Sequence, residues 1–196
     1  MLKFLWDILF PIQCLGGCGT YDTYLCPKCS EQFKNGKSEE NHYYLDEYKN
    51  PLLRNCIHQL KYGYSEELGK ILGKLLADSI DLEFDYVIPV PIHKKRRKER
   101  GFNQTELLAR EFDTEINLDL VKVKNTKSQM TLNKTKRLTN LNNCFKYKNN
   151  IKIENKKLLI VDDVYTTGTT VNEIKKTLFS YNPKGVWVAT LAKGKD

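Results

Sequence analysis

No apolar run in this 196-residue chain is long enough to cross a bilayer. The opening MLKFLWDILF is short, contains Asp7, and leads into Pro11 and a cysteine cluster where a secretory leader would have a small-residue cleavage site. It is therefore expected to be neither a span nor a leader. Phe4, Leu5, Ile8 and Leu9 share a helical face that is expected to pack on the protein, the alternative being peripheral membrane contact through residues 1–10. Internal repeats and low-complexity linkers are also missing, which excludes repeat architectures. Between Val121 and Asn150 there are eight Lys/Arg and no acid at all, with no sustained helical or strand period. That segment reads as an excursion from the core, a hood or hairpin.

Hydrophobic residues at 40% and charged residues at 29% describe a soluble globular chain, one domain of ordinary size with a small appendage. The net charge of +8 is uneven: residues 1–50 hold five Lys against seven Asp/Glu, and residues 51–196 hold 27 Lys/Arg against 17 Asp/Glu. Any anionic partner is expected to meet the larger part. The six cysteines suit a reducing cytoplasm, because four of them cluster with metal-like spacing and two stand apart.

Cys14 and Cys18, followed by the C-x-x-C of Cys26 and Cys29, form two close thiol pairs among Gly16, Gly17 and Gly19. Four thiolates so spaced suit tetrahedral zinc with no open position, hence a structural ion; two disulfides or free thiols are the plainer alternative. Gln32 to Asn50 turns polar and acidic and reads as a connector with one short element near His42 to Leu45. His42 reads as an ordinary, partly exposed histidine. Pro51 starts a helix carrying Leu53, Cys56, Ile57 and Leu60, which Gly63 ends, and Ser65 caps a second helix with Leu68, Leu72 and Leu76 inward. Tyr86 to Val90 reads as a strand. Gly101 to Gln104 enters a helix, Leu118 to Val123 reads as a second strand parallel to the first, and Val186 to Ala192 as the last. Alternating strands and helices predict α/β architecture with a mainly parallel, twisted sheet.

Chemistry concentrates at two places. Leu158 to Val161 is an apolar run of strand length, followed by Asp162, Asp163 and then Tyr165, Thr166, Thr167, Gly168, Thr169 and Thr170 leading into a helical stretch. A Thr/Gly turn at a helix start can surround a phosphate with backbone amides and hydroxyls. Two adjacent carboxylates would repel a phosphate but suit ribose hydroxyls or a developing positive charge. The second place is Val90, Pro91, Ile92 and His93, followed by Lys94, Lys95, Arg96, Arg97, Lys98 and Arg100 against the single acid Glu99. Such a run reads as a mobile loop. Its position after a strand suits pyrophosphate, with nucleic acid or plain solvation as alternatives.

The stretch VDDVYTTGTT resembles the phosphoribosyl pyrophosphate (PRPP) loop of type I phosphoribosyltransferases. With the cysteine pairs, Leu60-Lys61-Tyr62, VIPVPIH, Arg100-Gly101-Phe102-Asn103-Gln104, and the spaced Thr126/Gln129 and Arg137/Asn140/Phe145, the chain resembles the ComF family of competence proteins. The resemblance implies a type I phosphoribosyltransferase-like fold over residues 46–196 and an N-terminal helix and zinc module over residues 1–45. It further implies PRPP and Mg²⁺ binding and a part in DNA uptake during natural transformation. Asp162 and Asp163 would be catalytic, Tyr165 to Thr170 would hold the 5-phosphate, and Val90, Pro91, Ile92, His93, Lys94, Arg96 and Arg100 the pyrophosphate. Lys61, Gln104, Gln129 and Arg137 are secondary candidates. Where the family has an arginine shortly before the Thr of T-x-x-Q, this chain has Lys122 or Lys124, so a bidentate fork is missing there. The expected activity is phosphoribosyl transfer to an acceptor the sequence does not identify. The alternative is a non-catalytic factor that binds single-stranded DNA or competence partners.

Overall fold

A computed structural model describes residues 11–33, 36–63, 65–125 and 143–194. Residues 1–10 and the positions Thr126, Gln129, Arg137 and Asn140 lie outside them, so the expectations placed there find no counterpart below.

The central sheet has the order β1-β2-β7-β6-β3. Its strands are β1 (Lys37–Glu39), β2 (His42–Glu47), β3 (Tyr86–Pro89), β6 (Lys157–Tyr165) and β7 (Gly185–Lys193). Only the β1–β2 pair is antiparallel; β2–β7, β7–β6 and β6–β3 are parallel. β6 is an interior strand, flanked by β7 and β3, and its Leu158, Leu159, Ile160 and Val161 are buried on both faces. At roughly 2 kcal/mol for each fully buried aliphatic side chain, this run anchors the fold. The first helix, α1 (Pro27–Ser30), is a single turn beside the cysteines; strand alternation sends Leu159 and Val161 into one core with α2 (Pro51–Tyr62), α3 (Glu66–Asp78) and α5 (Gln104–Ala109). Leu158 and Ile160 enter a second core with α6 (Thr169–Phe179).

The helix starts follow the sequence signals. Asn50 accepts the Leu52 and Leu53 amides ahead of Pro51, and Ser65 accepts the Leu68 amide with Glu66 and Glu67 in the first turn. Three expectations need correction. The cationic stretch is not a loop but a helix, α4 (Lys94–Arg100), capped by His93, whose side chain accepts the Lys95 amide, and ended by Gly101. It buries no residue, so it has no apolar period to be read from sequence. The expected strand at Leu118 to Val123 is not a member of the main sheet. β4 (Leu120–Lys122) pairs antiparallel with β5 (Phe145–Tyr147) as a separate ribbon, and only Ile116 bridges in parallel to Val87 of β3. The presumed connector does hold the expected short element near His42 to Leu45, as β2, but with β1 it forms a hairpin that joins the main sheet. β2 is bonded to β7 through Glu47.

Candidate functional site

The carboxyl ends of β3 and β6 emerge side by side, Pro89 opposite Val161. The two chemistry-bearing turns are therefore neighbours, at the edge where open α/β sheets hold ligands. An open, shallow hollow is lined by Asp162, Val164, Tyr165, Thr166, Gly168, Thr169, Thr170 and Val171. Thr167 stands just behind this lining, its hydroxyl 2.7 Å from that of Thr169. Gly168 caps α6 at φ +69°, and a Cβ there would sit 2.3 Å from the Tyr165 hydroxyl. Any other residue would be both strained and in collision.

The two aspartates face opposite sides of β6. Asp163 follows Leu159 and Val161 toward the helices. Its carboxylate meets the Lys61 ammonium at 2.9 Å and accepts the Gln104 side-chain amide at 2.8 Å, and the residue is only 6% exposed. Burial opposes the charge on Lys61, but the Asp163 carboxylate outweighs it, with Asp162 adding to it, and holds the ammonium above its ordinary pKa. Asp162 follows Leu158 and Ile160 toward the hollow and accepts the Asp163 amide at 2.8 Å. Desolvation, followed by repulsion from Asp163, pushes its carboxyl up to about 7.

At the second turn, the Val90 carbonyl accepts the Thr105 hydroxyl at 2.7 Å and the Asn103 amide at 3.2 Å. Asn103 also accepts the Thr105 amide and so caps α5. These pins give the Val90-Pro91-Ile92-His93 turn a fixed course before α4. Within α4 the expected cations divide. Arg97 is held bidentate by Glu106 at 2.6 and 3.0 Å, Arg100 donates to the Gln104 side-chain oxygen at 2.6 Å, and Lys94 and Lys95 are exposed. Lys122 reaches this side from the ribbon, with its ammonium 5.6 Å from the Phe145 ring centroid; burial first and the Arg96 charge second hold its pKa below the usual lysine range.

Sequence reasoning had Asn103 only as part of a motif and did not anticipate the roles of Thr105 and His42. The signal for Asn103 was its place directly before a helix. His42 lies behind Tyr165, ring centroids 4.4 Å apart, with Nε2 2.9 Å from the Thr190 hydroxyl. Burial, then the charge of Lys193, pushes its imidazole down to about 4, so it supports the turn as a neutral ring. Nothing local in the sequence ties it to Tyr165, because a parallel strand pairing made through β7 brings the two together.

The sulfurs of Cys14, Cys18, Cys26 and Cys29 all lie within 4.8 Å of one another. Zn–S bonds of about 2.3 Å in a tetrahedron need sulfurs about 3.8 Å apart, so the four fit a zinc ion. Gly16 is required here, because a Cβ would lie 2.4 Å from the Cys29 sulfur. Among the described residues this is the one cluster of three or more potential metal-ligating side chains, and no helix is long and apolar enough to cross a membrane.

The phosphoribosyl transferase domain family matches residues 67–196. The chain belongs to the phosphoribosyltransferase family, in its ComF branch. The ComF-type chain is 31% identical over 159 residues to the DNA utilization protein YhgH of Escherichia coli K12, covering 73% of this chain and 68% of the relative. It is 29% identical over 194 residues to competence protein F of Haemophilus influenzae, covering 91% and 83%. Among solved structures, that of the allosteric regulatory enzyme of purine biosynthesis is similar over 69% of this chain and 30% of that one, at 20% identity and a TM-score of 0.46.

Proposed function

We propose that the two neighbouring turns bind PRPP together with Mg²⁺, and that the protein transfers its phosphoribosyl group in support of DNA uptake. The observation that carries this reading is the single hollow lined by Asp162 and by five of the six residues expected at a 5-phosphate. Thr166 to Thr170 and the first amides of α6 would take the 5-phosphate. Asp162 would accept ribose hydroxyls and oppose the positive charge that develops at the anomeric carbon as pyrophosphate departs. Asp163, held by Lys61 and Gln104, fixes the strand end on which Asp162 stands. The Val90 to His93 turn with Lys94, Arg96 and Arg100 would take the pyrophosphate. Mg²⁺ suits a site with one available carboxylate, because it commonly binds through one or two carboxylates plus substrate phosphates; it would neutralise pyrophosphate charge. The names of the relatives support the DNA-uptake role, and thiols kept reduced for zinc would suit a cytoplasmic setting.

Calorimetric titration of PRPP with Mg²⁺ tests the site. Asp162→Asn is expected to weaken binding about tenfold or more, and equal affinity in both proteins would overturn the assignment. For the cysteines, elemental analysis of reduced protein is expected to return one tightly held zinc per chain; a clear shortfall refutes a structural ion.

A further inference from the structure

The hairpin strand β2 places a side chain against the Thr/Gly turn, although β7 separates β2 from β6 in the sheet. The His42 ring centroid lies 4.4 Å from that of Tyr165, with the two planes inclined by 36°. The same phenol presses on Gly168: a Cβ added there would lie 2.3 Å from the Tyr165 hydroxyl oxygen and 2.8 Å from Cζ. The phenol therefore bridges the imidazole and the N-cap of α6. Gly168 sets where the first amides of α6 point, and its carbonyl accepts the Asn172 amide at 2.8 Å.

His42 is itself held. Thr190 is fully buried on β7 as the register partner of Asp162, and its hydroxyl donates to the Ala192 carbonyl at 3.2 Å. Its lone pairs are left for an N–H, so the imidazole nitrogen 2.9 Å away, Nε2, carries the proton. The charges that face the ring are Lys193, Lys175 and Glu39. Burial first and the Lys193 charge second disfavour the imidazolium, and Glu39, itself tied to Lys193, opposes them only in part. A neutral ring satisfies Thr190 but has no positive charge to offer a phosphate. Thr190, His42, Tyr165 and Gly168 thus form a series of contacts that runs from the strand beside Asp162 to the start of α6.

We propose that His42, anchored by Thr190, is a positioning residue for the 5-phosphate end of the hollow and acts on it only through Tyr165. This role rests on the PRPP reading, and it gives the β1–β2 hairpin a part in the site. Calorimetric titrations of the whole protein with ribose 5-phosphate, with PRPP and Mg²⁺, and with pyrophosphate and Mg²⁺ test it. His42→Ala is expected to weaken ribose 5-phosphate and PRPP by the same factor, about tenfold, the scale of one lost hydrogen bond. Pyrophosphate, taken by the turn after β3, should keep its wild-type affinity, which also shows that the variant is folded. His42→Phe keeps a ring against the phenol and should recover much of the loss. With Tyr165→Ala already in place, His42→Ala should weaken binding no further, because the two side chains act in series. The factor between wild type and His42→Ala should stay constant from about pH 5.5 to about pH 8, whereas an imidazolium touching the phosphate would make it grow toward low pH. The assignment is overturned if His42→Ala binds ribose 5-phosphate as the wild type does, if pyrophosphate affinity falls equally, or if His42→Phe binds no better than His42→Ala. Additive losses at His42 and Tyr165, or a factor that grows as pH falls, overturn it too. Failure of the PRPP reading looks different: the wild type itself then binds neither ribose 5-phosphate nor PRPP, or is indifferent to Asp162→Asn, and the role of His42 falls with it.

Discussion

Asp162 and Asp163 are chemically identical neighbours, yet the two faces of β6 give them opposite conditions. On the helical face, Asp163 is buried with a lysine and a glutamine side chain on its two oxygens, a nearly complete set of partners. On the other face, Asp162 lines the hollow, and desolvation followed by the Asp163 charge raises the pKa of its carboxyl. Burying a charge is tolerable only when it is paired and hydrogen-bonded. The difference teaches that a pair of adjacent acids on a strand divides the labour: one braces the strand against the helices, and the other is left for a ligand.

The largest expected effect tests the brace. Lys61→Met strands the Asp163 charge and should cost about 3 kcal/mol of unfolding free energy in chemical denaturation. Adding Asp163→Asn should recover much of the loss, whereas Asp162→Asn alone should cost little. Equal losses at the two aspartates would abolish the contrast. Gln104→Leu, which removes the other donor to Asp163 and the acceptor of Arg100, should cost about 2 kcal/mol by the same measurement. The smallest effect sharpens the open side. A carboxyl with a raised native pKa binds more protons when folded than when unfolded, so it contributes stability at low pH that is lost as pH rises through about 7. The melting temperature of the wild type should therefore decline between about pH 4 and pH 7 relative to Asp162→Asn. An unchanged difference between the two proteins across that range would show that Asp162 is not perturbed.

The strand and turn that carry this asymmetry are legible in the sequence, but the asymmetry is not: there both aspartates are expected at the ligand, whereas Asp163 is taken up by Lys61 and Gln104. The apolar run of β6 and the Thr/Gly turn declared a buried strand and a phosphate-sized turn, and strand alternation alone places consecutive residues on opposite faces. What could not be read was which face is which. Lys61 and Gln104 were marked by a family motif, but their purpose depends on packing α2 and α5 against β6, contacts remote in sequence. α4 escaped notice for a different reason: with no buried residue it has no hydrophobic period, and only its end signals, His93 and Gly101, were legible. Of the β1–β2 hairpin only the short element at β2 is legible, because the acidic composition around it resembles a connector unless the pairing with β7 is known.

The hairpin has a consequence for the crowded cell. A sheet ends in a row of unpaired backbone groups that invites another chain. Here one border is β1, three exposed residues whose Lys37 and Glu39 are tied to Asp46 and Lys193, while at the other border Val87 of β3 exchanges backbone hydrogen bonds with Glu115 and Asn117. Two copies meeting border to border would find short, charged or already occupied backbone, so the sheet resists growing into a fibre.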